Sequence, residues 1–136
     1  MELIYLVDVK VKDLVPGTGG HCLVVQVLSV APIVEKVHLD GSVARIAEIL
    51  VGDETGTVVL TARNEQIDRA QVGKYLVLRN AEAAVYRGFM RLRVTVWGKL
   101  SLHPDGVKST PKVPKSIADN NNMSLVEYEL VPADDE

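Results

Sequence analysis

Residues 43–70 read VARIAEILVGDETGTVVLTARNEQIDRA, and this stretch decides the fold. Val43 to Val51 is rich in aliphatic and β-branched residues, as a strand requires. Gly52-Asp53-Glu54-Thr55-Gly56 is a Gly-bounded tight turn. Thr57 to Arg63 then alternates, with Val58, Leu60 and Ala62 on one face and Val59, Thr61 and Arg63 on the other. The pattern predicts two strands joined as a hairpin. Asn64 to Ala70 (NEQIDRA) follows with an N-cap residue and acids in its first turn, which predicts a short helix ending near Gly73.

Working outward, Tyr75 to Tyr86 reads as a fourth strand and Phe89 to Trp97 as a fifth, turning at Arg87-Gly88. In the fifth, Met90, Leu92, Val94 and Val96 are expected on one face and Arg91, Arg93, Thr95 and Trp97 on the other. Upstream, HCLVVQVLSV at His21 to Val30 is long enough for a first strand that curves around a barrel. Before it, VKVKDLVPGTGG at Val9 to Gly20 predicts a short strand running into a turn cluster. Pro32 and Asp40-Gly41 mark residues 31–42 as a mobile hairpin loop or extension. Three strands, a short helix and two strands is the order of an all-β, five-stranded Greek-key OB-fold barrel, with the helix plugging the barrel.

The expected organisation is an OB-fold domain over residues 1–100 with an N-terminal strand extension. A linker or loop is expected over 101–122, and a strand-like segment with an acidic end over 123–136, containing SLVEYELV. That last segment is expected either to pack back on the domain or to pair with a partner. The chain of 136 residues is 47% apolar but has one Phe and one Trp, so the core is aliphatic and aromatic platforms are scarce. Its single cysteine, Cys22, excludes an internal disulfide, fits a reducing compartment and is expected in the core. No signal peptide or span of about 20 apolar residues is visible. A soluble protein of the nucleus or cytoplasm is the expectation.

The net charge of −3 conceals a segregation. Between Arg63 and Lys99 eight basic residues face three acids, a net of +5, whereas residues 119–136 carry six acids and no base. A basic middle can form a binding face that the global balance hides.

VKDLVPG at Val11 to Gly17, VGDETG at Val51 to Gly56, the helix from Asn64, the Gly73 turn and AVYRGFMRL at Ala84 to Leu92 resemble the OB domain of eukaryotic and archaeal single-stranded DNA-binding proteins. The DNA-binding subunit of the human single-strand sensor complex is of this type. A more extensive resemblance is to a family of small plant OB-fold proteins, through PGTGGHCLVVQV, RIAEILVGDETGTVVLTARNEQID, VLRNAE and NNMSLVEYELV. In the DNA-binding proteins, aromatic side chains on the third, fourth and fifth strands stack on bases. The matching positions here are Arg63, Glu82, Tyr86 and Arg93, of which only Tyr86 is aromatic. Base–aromatic stacking contributes about 1–3 kcal/mol per base. Arginine replaces part of that by stacking and by pairing with phosphate; Glu82 does not.

The candidate binding residues are therefore Arg63 and Thr61 on the third strand, Arg91 and Arg93 on the fifth, and Tyr86 before the turn. Arg87 and Lys99 are expected at phosphates, and Trp97 either on a base or packed against SLVEYELV. His21, His38 and His103 are isolated, so no metal is expected. Asp53 and Glu54 read as a turn signal, and PGTGG lacks the lysine and following helix of a phosphate loop. No nucleophile–base constellation is legible and no cofactor is expected. The sequence reads as a non-catalytic binder of single-stranded DNA or RNA, largely sequence-tolerant, using a groove over the second, third and fifth strands. The alternative is an OB-fold assembly module that meets a protein partner or a second copy through its C-terminal segment.

Overall fold

A computed structural model of the chain describes residues 6–103, 113–114, 117 and 122–129. Its elements are β1 (Val7–Asp8), β2 (Thr18–Val30), β3 (Val34–Val37), β4 (Val43–Asp53), β5 (Gly56–Arg63), α1 (Glu65–Arg69), β6 (Tyr75–Tyr86), β7 (Phe89–Arg93) and β8 (Lys99–Leu102). The barrel circuit runs β2-β4-β5-β7-β6 and closes through β2–β6, with β5 and β7 parallel and the other pairs antiparallel. This is the five-stranded OB barrel with one short helix.

Closure depends on β2, which pairs with β6 along its first half and with β4 along its second. Register shifts between Thr18 and His21, His21 and Leu23, and Val27 and Ser29 let it bend between the two partners. Alternation then delivers one face of each of the five barrel strands inward: Val25, Ile49, Leu60, Leu78 and Leu92 are fully buried. The ends of the barrel are plugged by local helices. Ile67 and Ala70 close one from α1, and Val11 and Leu14 join the same core from the segment before β2.

Several expectations are corrected or sharpened by the observed pairing. Val11–Asp13 is a 3-10 turn and not part of a strand, because the Val11 N–H donates to the buried Asp53 carboxylate at 2.8 Å. Residues 31–42 are not simply a loop: β3 lies within them and pairs with β4 from Val34↔Ile46 to Val37↔Val43. Asn64 occupies the cap position of α1 without capping through its side chain; its Oδ1 accepts from the Arg45 N–H at 3.0 Å, and its φ is 51°. The fifth strand is broken. β7 pairs with Glu82–Tyr86 and β8 with Leu76–Arg79 on the same strand β6, while residues 94–98 leave the sheet. Val96 consequently projects outward at 87% exposure instead of sharing the inward face of Met90 and Leu92.

The C-terminal segment is not a strand across its described residues. Met123–Leu125 is a 3-10 turn, flanked by single bridges Thr57↔Asn122 and Phe89↔Glu127. Its anchor is Ser124, whose Oγ accepts from Val59 N–H at 2.9 Å and donates to Met90 O at 2.6 Å. That hydroxyl joins β5 to β7 where the two strands are not paired directly. Residues 130–136, including the acidic end, lie outside the described residues, as does most of 101–122.

Candidate nucleic-acid interface

Four strands and one hairpin arm surround a groove of about 440 Å³ on the outer face of the barrel. Period-2 alternation puts Thr61 and Arg63 of β5 beside Arg91 and Arg93 of β7, because every second residue of these strands must face out if its neighbours are core. Register then sets the rows. Glu48 lies opposite Thr61, Thr61 opposite Arg93, and Arg93 opposite Glu82, so one transverse line crosses β4, β5, β7 and β6. Tyr86, at the end of β6, is 56% exposed and forms the rim.

The cations in the groove are held to different degrees. Arg93 Nε donates to Glu82 Oε2 at 2.8 Å, a half-exposed pair. Arg91 is the most enclosed; its Nη1 donates to Met90 O at 3.1 Å and to Ser124 O at 3.5 Å. Glu48 is 3.8 Å from Arg91 Nε, too far for a hydrogen bond, so that nitrogen has no acceptor among the described residues. The Arg63 guanidinium makes no ion pair or hydrogen bond among the described residues. Its backbone, by contrast, is fixed: Gln66 Oε1 accepts from Arg63 N–H at 3.1 Å while Gln66 Nε2 donates to Val94 O at 2.9 Å. Gln66 thus ties the ends of β5 and β7 together and sets the spacing of the basic row.

Five of the residues expected at a binding face, Thr61, Arg63, Tyr86, Arg91 and Arg93, line this one groove. Arg87 does not line it. It occupies the β6–β7 turn, where φ of 51° at Arg87 and 91° at Gly88 give the paired positive values that a two-residue hairpin needs. Its guanidinium carbon lies 5.2 Å from the centroid of the Tyr86 ring. Trp97 and Lys99 are outside the groove, and Trp97 is 67% exposed.

Sequence reasoning missed the wall opposite Tyr86, formed by Pro32, Val34 and Lys36. The signal was present: VEKV sits between Pro32 and Asp40-Gly41, and it faces VARI across that turn. With Lys36 included, four cations line the groove against one lining carboxylate, Glu48. Such an arrangement can take an anion and offer one aromatic face. No group of three metal-ligating side chains occurs among the described residues. The Asp53 carboxylate is spent within its own turn and on Val11, as the turn reading required.

Residues 14–102 match the family model of Ssb-like single-stranded DNA-binding proteins with an OB fold. Protein At4g28440 of Arabidopsis thaliana is 40% identical over 134 residues, covering 92% of this chain and 83% of that one. The solution structure of the Arabidopsis thaliana protein F20O9.120 is 37% identical and covers 99% of this chain and 92% of its own, with a TM-score of 0.69. The second OB-fold domain of replication protein A from Methanococcus maripaludis shares the fold at 17% identity and a TM-score of 0.58, over 75% of this chain and all of that one. The groove lies on the face of a barrel whose strands all fall within the matched segment, and the chain belongs to the OB-fold family of Ssb-like single-stranded DNA-binding proteins.

Proposed function

We propose that this protein is a non-catalytic module that binds single-stranded DNA or RNA in the groove between the β3–β4 arm and the β6–β7 hairpin. The observation that carries the reading is the convergence of Lys36, Arg63, Arg91 and Arg93 with Tyr86 on one concave face. Family membership supports it. Arg63 is the first contact for a phosphate, since no ion pair or hydrogen bond among the described residues competes for it. Arg93 must exchange Glu82 for the ligand, and Arg91 supplies a fixed charge that Ser124 steadies from below. Tyr86 takes one base on the ring face that Arg87 leaves open. Contacts to charge and π-face discriminate little between bases, so recognition is sequence-tolerant.

Fluorescence anisotropy of labelled single-stranded DNA and RNA at two salt concentrations tests this. Binding should weaken with salt by a log–log slope of about −0.7 per phosphate contact, and a folded Arg63→Ala/Arg91→Ala/Arg93→Ala variant should lose it. Unchanged affinity in that variant removes the groove assignment.

A second reading is favoured by one observation. Ile33, Val37 and Leu39 stand exposed on the β3–β4 arm, as they would in an adaptor that meets a protein partner. The described part of the C-terminal segment docks on its own barrel, so the arm is the better candidate for such a contact. Absence of nucleic-acid binding at tens of micromolar would favour this reading.

A further inference from the structure

β7 and β8 are two halves of one barrel strand, and residues 94–98 between them are held out of the sheet by specific contacts. Asn80 on β6 takes a φ of 58°, and its Nδ2 donates to Trp97 O at 3.0 Å. Gly98 N–H donates to Thr95 O at 2.9 Å. Gly98 itself abuts β6 so closely that a Cβ there would meet Arg79 O at 2.6 Å and Asn80 O at 2.8 Å. Backbone this constrained, with a left-handed asparagine facing an obligatory glycine, projects the chain's only tryptophan into solvent.

Two cations accompany it. Lys99 follows Gly98 and lies directly opposite Arg79, both exposed. Like charges placed opposite each other destabilise a sheet, and no carboxylate pairs with either among the described residues. An exposed indole beside two unpaired cations is the chemistry that takes a base on its face and a phosphate between the charges. A partner protein would have to bring acids to this spot, whereas a polyanion brings its charge at every repeat.

We propose that Trp97, Arg79 and Lys99 form a second contact for a single strand that leaves the groove past Arg93. The inference rests on the groove reading. Arg93 and Trp97 are four residues apart, a span of at most about 14 Å, so a strand that extends a few nucleotides beyond the groove is long enough to reach the tryptophan. A short oligonucleotide fills the groove alone, and a longer one adds the tryptophan.

Because Trp97 is the only tryptophan, its emission reports this site by itself. The experiment titrates the full chain with labelled oligothymidylates of about 5 and about 20 nucleotides, following label anisotropy and tryptophan emission together. Both lengths should bind, and the longer one should quench Trp97. Trp97→Ala should weaken the longer oligomer by about tenfold, the effect of losing one stacked base. Arg79→Ala/Lys99→Ala should weaken it several-fold with a shallower salt dependence through lost phosphate contacts, and both should leave the shorter one unchanged. All three side chains are exposed, so these variants fold. Full binding of the longer oligomer without quenching, or with wild-type affinity in both variants, overturns the second contact while the groove reading stands. No anisotropy change with either length overturns both.

Discussion

The β4–β5 turn and the strand ends that carry the arginine row use their charged residues in opposite ways. At the β4–β5 turn the acids are consumed by the fold. Asp53 is buried and accepts from Val11 N–H, Thr55 N–H and the Thr55 hydroxyl, while Glu54 pairs with Lys10 at 2.7 Å. At the C-terminal ends of β5 and β7 the cations face outward over a groove, Arg63 unpaired among the described residues and Arg93 held by one half-exposed carboxylate. A charge surrounded by donors of its own chain stabilises the fold and is closed to ligands; a charge left to water is open to a phosphate. That difference separates GDETG, a structural signal, from the arginine row, the proposed binding surface, although both are polar runs near strand ends.

Breaking the closed end should cost stability and spare binding. Asp53→Ala leaves the buried Val11 N–H without its acceptor and removes two bonds within the turn. About 2–4 kcal/mol of unfolding free energy should be lost in a urea titration. Affinity for single strands, measured where the variant is still folded, should stay at the wild-type value; a parallel loss would mean that the two ends are coupled.

Sharpening the open end should raise affinity. Glu82→Gln frees Arg93 from its pair and removes a negative charge from the transverse row, so single-stranded DNA should bind a few-fold more tightly, with a steeper salt dependence. Stability should change by less than about 1 kcal/mol, because the pair is half-exposed. Weaker binding would show that Glu82 orients Arg93 for the ligand instead of competing with it.

The smallest effect belongs to the Lys10–Glu54 pair. Its hydrogen bond holds Glu54 below the ordinary carboxylate range and Lys10 above the ordinary amine range. A depressed carboxylate contributes stability that is present above its unfolded value and is lost as pH falls through the folded value. Both side chains are more than a third exposed, so the loss in acid should be only about a few tenths of a kcal/mol. Glu54→Gln should flatten that part of the pH–stability curve, and an unaltered curve would assign the acid loss elsewhere.

Most of the barrel was legible because its signals are local. The β6 strand, the β4–β5 hairpin and α1 follow from alternation, a Gly-bounded turn and a short polar helix pattern, all within a few residues of one another. The same alternation placed Thr61, Arg63, Arg91 and Arg93 facing outward, and the groove contains all four. Most of what was missed depends on residues far apart in sequence. Lys36 is the local exception: VEKV faces VARI across Asp40-Gly41, and the pairing of β3 with β4 that this short pattern signals brings Lys36 to the groove. The run Phe89–Trp97 alternates without interruption, yet the strand stops at Arg93, because Asn80 and Gly98 meet across the sheet and force the chain outward. SLVEYELV also alternates, but Ser124 is taken up by Val59 and Met90, which hold it in a 3-10 turn.

Neighbouring residues alone sufficed for the inward face of the strands up to Arg93, for the number of barrel strands and for the basic middle, since those are local properties of the chain; Val96 lay beyond that reach. Only the tertiary structure decided which cations share a groove, which of them a carboxylate restrains and that Trp97 stands apart from the rest, because pairing register and strand breaks are set by partners tens of residues away.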